Sequence, residues 1–184
     1  MSRKHWLAAY GEKIPREIDP DAYASVVEMF EGAMQRFADR PAFRCFGHTL
    51  TYADTDRLSR HFAAYLQEKR GVKKGDRIAV MLPNIPAFPL AMLGIVRAGG
   101  VQVNVNPLYT SRELEHQLND AGAETIVIFN GASAALAEII SKTSVKQVIS
   151  VSPGDGLSEP LSGPPVDARL KNVVLSHVGD PYQK

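Results

Sequence analysis

The chain has 184 residues, 45% hydrophobic and 22% charged, which is enough for one well-buried core and ordinary for a globular protein. Its net charge of +1 supplies no global field to draw nucleic acid, so DNA or RNA binding is not expected. The single cysteine, Cys45, excludes an internal disulfide and a cysteine-built zinc site, which suits a reducing, cytoplasmic compartment.

Residues 1–24 read as an N-terminal arm. The start, MSRKHWLAAYGEKIP, is basic like a signal peptide. Its apolar run from Trp6 to Tyr10 is too short for an h-region, however, and Glu12 and Lys13 follow at once, so retention in the mature protein is expected. The longest apolar stretch, FPLAMLGIV at 88–96, falls well short of the ~20 residues that cross a bilayer. Peripheral association with the inner membrane is left open.

The α/β subdomain is expected over residues 25–152. Ser25 and Glu28 read as a capping box opening a helix that carries Val26, Met29, Phe30, Ala33 and Phe37 at helical spacing. AFRCF (42–46), a Gly47-His48 turn and TLTY (49–52) read as a small N-terminal hairpin, with Cys45 a small core residue. Thr51 and Asp54 cap a second helix that buries Leu58, Phe62, Tyr65 and Leu66 and stops at Gly71. Asp54 and Asp56 are both assigned to the helix N-terminus.

From Gly75 the periodicity changes. RIAVML (77–82), PAFPLAMLGIVRA (86–98) and VQVNV (101–105) read as strand, buried helix, strand, the signature of a βαβ unit. Pro86 and Pro89 must lie in or before the helix's first turn, because an interior proline costs ~3 kcal/mol. Thr110 and Glu113 form another capping box, Leu114 and Leu118 share a face, and Gly122 ends this helix before the strand TIVIF at 125–129. A helix over 132–142 and a strand over 145–151 follow. Four strands joined by three helices predict an open, mostly parallel sheet with helices on both faces. Residues 153–184 read as a Gly/Pro/Ser-rich linker and a truncated tail, with a short apolar run at Val173 to Leu175 and no closing element.

Catalytic signatures are missing: there is no G-x-G-x-x-G, Walker-type loop, G-x-S-x-G or H-E-x-x-H. The five histidines, His5, His48, His61, His116 and His177, are too scattered for a metal site. The basic run KRGVKKGDR (69–77) leads into the N-terminal edge of a strand and reads as a solvated loop, since ligands of open α/β sheets bind beyond the C-terminal strand ends. The same rule promotes Pro83 and Asn84, after the strand ending at Leu82, and Asn106, Pro107, Leu108 and Tyr109, after the strand ending at Val105. For Asn106-Pro107 a plain strand exit is an equally complete reading.

The segments T-Y-A-D (51–54), K-K-G-D-R-I-A-V-M-L-P-N (73–84), R-A-G-G-V-Q-V-N-V-N-P-L-Y-T (97–110) and E-L-E-H-Q-L-N-D-A-G-A (113–123) resemble the N-terminal region of adenylate-forming acyl-CoA synthetases. W-L-A-A-Y, I-P-R-E-I-D-P (14–20) and the N-P-L-Y-T corner are most similar to the bacterial long-chain fatty acyl-CoA ligase branch. The likeness runs from Trp6 to Val151. It departs from the family's T-Y-x-E-L pattern at Asp54 and Thr55, where aspartate still serves a helix N-terminus.

For a complete enzyme the resemblance implies a two-step ligation. ATP and a fatty acid give an acyl-adenylate with Mg2+ assisting, and coenzyme A then displaces AMP. The family's phosphate loop and catalytic residues lie downstream of the part resembled, so this chain alone is expected to be inactive and to bind none of these cofactors tightly. The resemblance places Asn106, Pro107, Leu108 and Tyr109 at the rim of the CoA site, where Tyr109 either stacks on an adenine or packs on the next helix. A rival reading is a non-catalytic interaction or dimerisation module whose arm, with Trp6, Leu7, Tyr10 and Ile14, docks on a second copy. A third is a luciferase-like or amino-acid-activating relative.

Overall fold

The computed structural model describes residues 5–155, 164–170 and 174–177. The expected linker at 156–163, the first four residues of the arm and the tail from 178 to 184 lie outside them. Residues 5–24 contain a single 3-10 turn, His5–Ala9, and leave Trp6, Tyr10, Ile14, Ile18 and Tyr23 exposed.

Helix α1 spans Val26–Arg36. Ser25 Oγ accepts from the Glu28 N–H at 3.1 Å, but the Glu28 carboxylate accepts from Ala24 N at 2.6 Å, so the box closes one residue upstream of the expected cap. Strands β1 (Pro41–Cys45) and β2 (His48–Thr51) pair antiparallel, with Cys45 opposite His48. The turn is therefore Phe46-Gly47 and not Gly47-His48. Both residues have positive φ, 49° and 80°, as a two-residue turn matched to strand twist requires. Helix α2 (Tyr52–Ala64) opens on a closed Thr51–Asp54 capping box and runs into a π turn, Tyr65–Lys69.

The sheet proper contains β3 (Arg77–Met81), β4 (Val101–Asn104), β5 (Thr125–Phe129), β6 (Gln147–Val151) and β7 (Val174–His177). All pair parallel, in the order β4-β3-β5-β6-β7. The fifth strand comes from the segment expected as a linker and truncated tail, and overlaps its short apolar run at Val173 to Leu175; four residues are too short a run to read as a strand without the partner edge that β6 provides. Between the strands lie α3 (Ala87–Arg97), α4 (Ser111–Ala121) and α5 (Ser133–Ile139), the last flanked by 3-10 turns at Asn130–Ala132 and Ile140–Lys142. Pro86 is the N-cap of α3 and Pro89 sits in its first turn, where neither forfeits an intrahelical hydrogen bond.

Alternate residues of each strand face opposite layers. Ile78, Val80, Val127, Ile149 and Val151 pack under α2 and α3 with Phe62, Leu66 and Ile95. Ala79, Met81, Ile126, Ile128 and Val148 pack under α4 and α5 with Leu114, Leu118 and Leu136, joined by Leu170. Burial on both faces explains the unbroken apolar runs of β3, β5 and β6. Each buried Leu, Ile or Phe contributes ~1.5–3 kcal/mol. The two layers therefore outweigh the hairpin, whose own cluster is Leu50, Leu58 and Leu90.

A charged seam ties α1, α2 and α3 together. The buried Arg97 guanidinium donates to Glu31 at 2.5 Å and Asp56 at 2.5 Å, and Arg60 reaches the same carboxylates at 2.8 and 3.0 Å. Asp56 is thus an interhelix partner and not a cap. Cys45 is half-buried and lines a cavity, so the expectation of a core position is also corrected.

Candidate functional site

The strand order reverses between β3 and β5: the chain steps outward from β3 to β4, then returns across β3 to β5. In such sheets ligands bind beyond the carboxyl ends of the strands, at the reversal. The loops after β3, β4 and β5 reach this edge around the reversal, so the structure brings Pro83 and Asn84 to the same side as the Asn106–Tyr109 corner.

After β3, Leu82 is buried and Asn84 exposed, and a tight turn (Ile85 N–H to Pro83 O, 2.8 Å) feeds α3. Beside Asn84 lies an apolar cleft of about 390 Å3 lined by Phe43, Cys45, Ile85, Phe88, Pro89 and Met92. A second apolar cavity of similar volume shares Phe43 and Met92 with it and continues toward Met29 and Phe30 of α1. The apolar face of α1 is consequently only partly covered, with Val26 and Met29 exposed.

After β4, the Val105 N–H still bonds Val80 O at 3.0 Å, and the chain then turns. The Asn106 side chain accepts from the Leu108 N–H at 3.0 Å, and the Tyr109 N–H donates to Asn106 O at 3.1 Å. This is an Asx turn, the local reason for asparagine here. Leu108 is 87% exposed, whereas Tyr109 packs against the α4–α5 layer. The turn leads directly into the Thr110–Glu113 capping box, whose Thr110 hydroxyl and N–H donate to Glu113 at 2.7 and 2.9 Å. Those two hydrogen bonds, the hydroxyl's first, hold the Glu113 carboxyl below the usual range. Gln117 Nε2 donates to Asn104 O at 2.7 Å and Ser111 to Glu138, fixing α4 against the strand end and α5.

After β5, Asn130 is buried. Its Nδ2 donates to Ser152 Oγ at 2.8 Å, tying the ends of β5 and β6 together. Its Oδ1 is buried without a hydrogen-bond partner among the described residues. Gly131 follows because a Cβ there would lie 2.5 Å from the Phe129 ring. Sequence reading passed over Asn130, although the rule that promoted Asn84 and Asn106 applies equally to the first residue after β5.

The loops read LPNIP, VNPLY and FNGAS. They offer amides, a hydroxyl, apolar surface and a phenol, but no carboxylate, imidazole, thiol or cation. Such a set offers hydrogen bonds and apolar surface to orient and wall a ligand, and no side-chain charge to pair with a phosphate or a metal ion. Among the described residues no group of three His, Cys, Asp or Glu side chains could bind a metal ion, and no helix is long and apolar enough to cross a membrane.

The AMP-binding enzyme family matches residues 30–177. The chain belongs to that family. It is 52% identical over 156 residues to the long-chain-fatty-acid–CoA ligase of Salmonella typhimurium, a match covering 85% of this chain and 28% of the relative. The Bacillus subtilis long-chain-fatty-acid–CoA ligase is 38% identical over 162 residues, covering 87% of this chain and 28% of the relative. Among solved structures, the Archaeoglobus fulgidus long-chain-fatty-acid–CoA ligase superposes with a TM-score of 0.63 at 25% identity, over 68% of this chain and 27% of that one. The inhibitor-bound N-terminal domain of Mycobacterium tuberculosis FACL13 shares the fold, with a TM-score of 0.63 at 22% identity over 67% of this chain and 32% of that one. The chain therefore spans about 28% of the length of its curated relatives.

Proposed function

We propose that this chain is the N-terminal part of a long-chain fatty acid–CoA ligase, the enzyme that activates a fatty acid with ATP and Mg2+ and passes the acyl group to coenzyme A. The observation that carries the reading is the 52% identity to a ligase of that name, sustained over 156 residues. The substrate-contacting chemistry is assigned to the remainder of the enzyme, because the three loops hold neither a cation nor a metal-binding set. Their part is to wall the site. Asn106, Pro107, Leu108 and Tyr109 line the rim of the CoA nucleotide pocket, with Leu108 offering apolar surface to the base while Tyr109 buttresses the turn from behind.

Fatty-acid-dependent ATP–pyrophosphate exchange tests this. A ligase containing these residues should catalyse exchange with a long-chain fatty acid, and the 184-residue chain alone should not. Exchange by the chain alone would refute the division of labour, and a complete ligase inert toward every long-chain acid would refute the substrate class.

A second reading concerns assembly. The exposed Trp6, Tyr10, Ile14, Ile18 and Tyr23 favour the arm as a surface that pairs with another copy. In this reading the protein works in the cytoplasm, peripherally at the inner membrane. Size-exclusion chromatography with and without residues 1–23 checks the pairing; an unchanged mass counts against it.

A further inference from the structure

The amino-terminal edge of the sheet, opposite the three loops above, has a cleft of about 380 Å3 lined by Arg70, Gly71, Arg77, Gly122, Thr125 and Gln147. This volume is within the range of small-molecule sites, ~300–1,000 Å3. Parallel register sets Thr125 beside both Ile78 and Gln147, so the starts of β3, β5 and β6 are flush and share one wall.

Two carboxylates border the cleft, and both are engaged. Asp76 accepts from the Lys73 backbone N–H at 2.8 Å, and Glu124 from Lys146 Nζ at 2.7 Å. Arg77 has no ion pair among the described residues, and its Nη2 lies 3.0 Å from where a Cβ on Gly122 would stand. Gly122, at φ 58°, both ends α4 and leaves that guanidinium room over the turn. The Arg70 guanidinium rests on the Tyr65 ring at 4.8 Å. Its Nε is buried without a partner, and so is Oε1 of Gln147, whose Nε2 donates to Arg70 O at 3.3 Å.

An orphaned buried donor and an orphaned buried acceptor at one cleft call for a ligand that can both accept and donate. The unpaired Arg77 at the start of β3, with Lys73 and Lys74 on the loop before it, requires that ligand to be an anion. Guanidinium groups match phosphate oxygens in particular. We propose that this cleft binds a phosphate group bearing a hydroxyl donor, a chemistry shared by hydrogen phosphate and the glycerol-phosphate headgroup of an anionic lipid. Arg77 donates to the phosphate oxygens from the open side, and the Arg70 and Gln147 side chains, whose orphaned atoms lie under the cleft wall, turn to donate to the phosphate and to accept from the hydroxyl. A solvated-loop account still covers Lys73 and Lys74, but leaves the buried atoms of Arg70 and Gln147 without a reason.

The test is a phosphate titration of the chain at constant ionic strength, followed by amide NMR, with parallel sedimentation against vesicles of phosphatidylcholine alone or mixed with phosphatidylglycerol. Saturable shifts confined to Gly71, Arg77, Gly122 and Gln147 are expected. Arg77→Gln should weaken binding about tenfold, the scale of one lost charge-assisted hydrogen bond, and Gln147→Leu should weaken it independently. Arg77 is exposed, so its variant keeps the fold. Sedimentation with phosphatidylglycerol that phosphate competes away assigns the lipid headgroup; shifts without sedimentation assign the free anion. No shift, unsaturable shifts spread along Lys69 to Lys74, or equal affinity in wild type and both variants overturns the site.

Discussion

The packing of α2 on α3 makes one substitution informative because two effects oppose each other. A Cβ on Gly94 would stand 2.6 Å from Phe62 Cδ1, 3.1 Å from Phe62 Cβ and 3.1 Å from the Ser59 carbonyl oxygen. Phe62 is 0% exposed and Ser59 O belongs to helix backbone, so neither can swing aside as a surface side chain would. Glycine to alanine inside a helix ordinarily gains ~1 kcal/mol from propensity. Overpacking a close-packed core costs ~1–3 kcal/mol, and here relief requires α2 to move as a body.

With the cost set toward ~2–3 kcal/mol because the clash is with backbone and a fully buried ring, less the ~1 gained from propensity, Gly94→Ala is expected to lose about 1–2 kcal/mol net, lowering Tm by ~2–8 °C for a chain of this size. Gly32→Ala is the internal control: it lies in exposed α1 with nothing within 4 Å of its Cβ position, so it should gain up to ~1 kcal/mol. Urea unfolding followed by far-UV circular dichroism compares them directly. If Gly94→Ala proves neutral or stabilising alongside a stabilising Gly32→Ala, then α2 and α3 are not in the close contact that this reasoning requires.

Arg97→Met should destabilise by ~1–3 kcal/mol, less than the ~3–5 typical of an isolated buried pair, because Glu31 and Asp56 keep Arg60. A double-mutant cycle with Asp56→Asn measures the coupling, and a coupling no larger than a surface pair's ~0–1 kcal/mol would show the seam to be solvated. Hydrogen bonds from Thr51 hold the Asp54 carboxyl below its ordinary 3.8, and those from Thr110 hold Glu113 below 4.5. Both contributions should be complete above those values and vanish as pH falls through the lowered ones. Thr51→Ala should cost ~1 kcal/mol and flatten part of that acid dependence in urea midpoints, and an unchanged acid slope would rule out the cap as its source. In a complete ligase, Leu108→Ala should raise KM for coenzyme A while leaving Tm unchanged, since Leu108 is almost wholly solvent-exposed; an unaltered KM would remove the corner from the CoA rim.

The strands β3, β5 and β6 were legible in the sequence because a strand buried on both faces must be apolar throughout, and the caps at Thr51 and Thr110 because they are local hydrogen-bond motifs. Long-range features were not legible. Asp56 sits in a helix's first turn like any capping carboxylate, and only the approach of Arg97 from 41 residues away reassigns it. The hairpin turn slipped by one residue because Phe46 at positive φ defies its propensity. Strand β7 depends on an edge that local composition does not reveal. At the candidate site, Asn106 stood out through its proline, while Asn130, equally placed, follows an ordinary strand and carries no motif.

That contrast bears on what the most conspicuous motif does. Strands lie ~4.8 Å apart, and β3 separates β4 from β5, so the Asn106 corner stands ~10 Å from Asn130 along the sheet edge. The fold rule puts the ligand edge between the ends of β3 and β5, where the exposed Asn84 follows one strand and the buried Asn130 the other. The corner therefore stands one strand away from that edge, at the end of β4. Its asparagine is committed to the Asx turn, its tyrosine to the core and its threonine to the cap of α4, which leaves Leu108 as the exposed side chain without a folding role. A segment so thoroughly used by folding can touch a ligand that extends across the edge, as a nucleotide would. Nearer the reversal stand two other asparagines: Asn84, promoted by the same strand-end rule, and Asn130, which no sequence motif advertises.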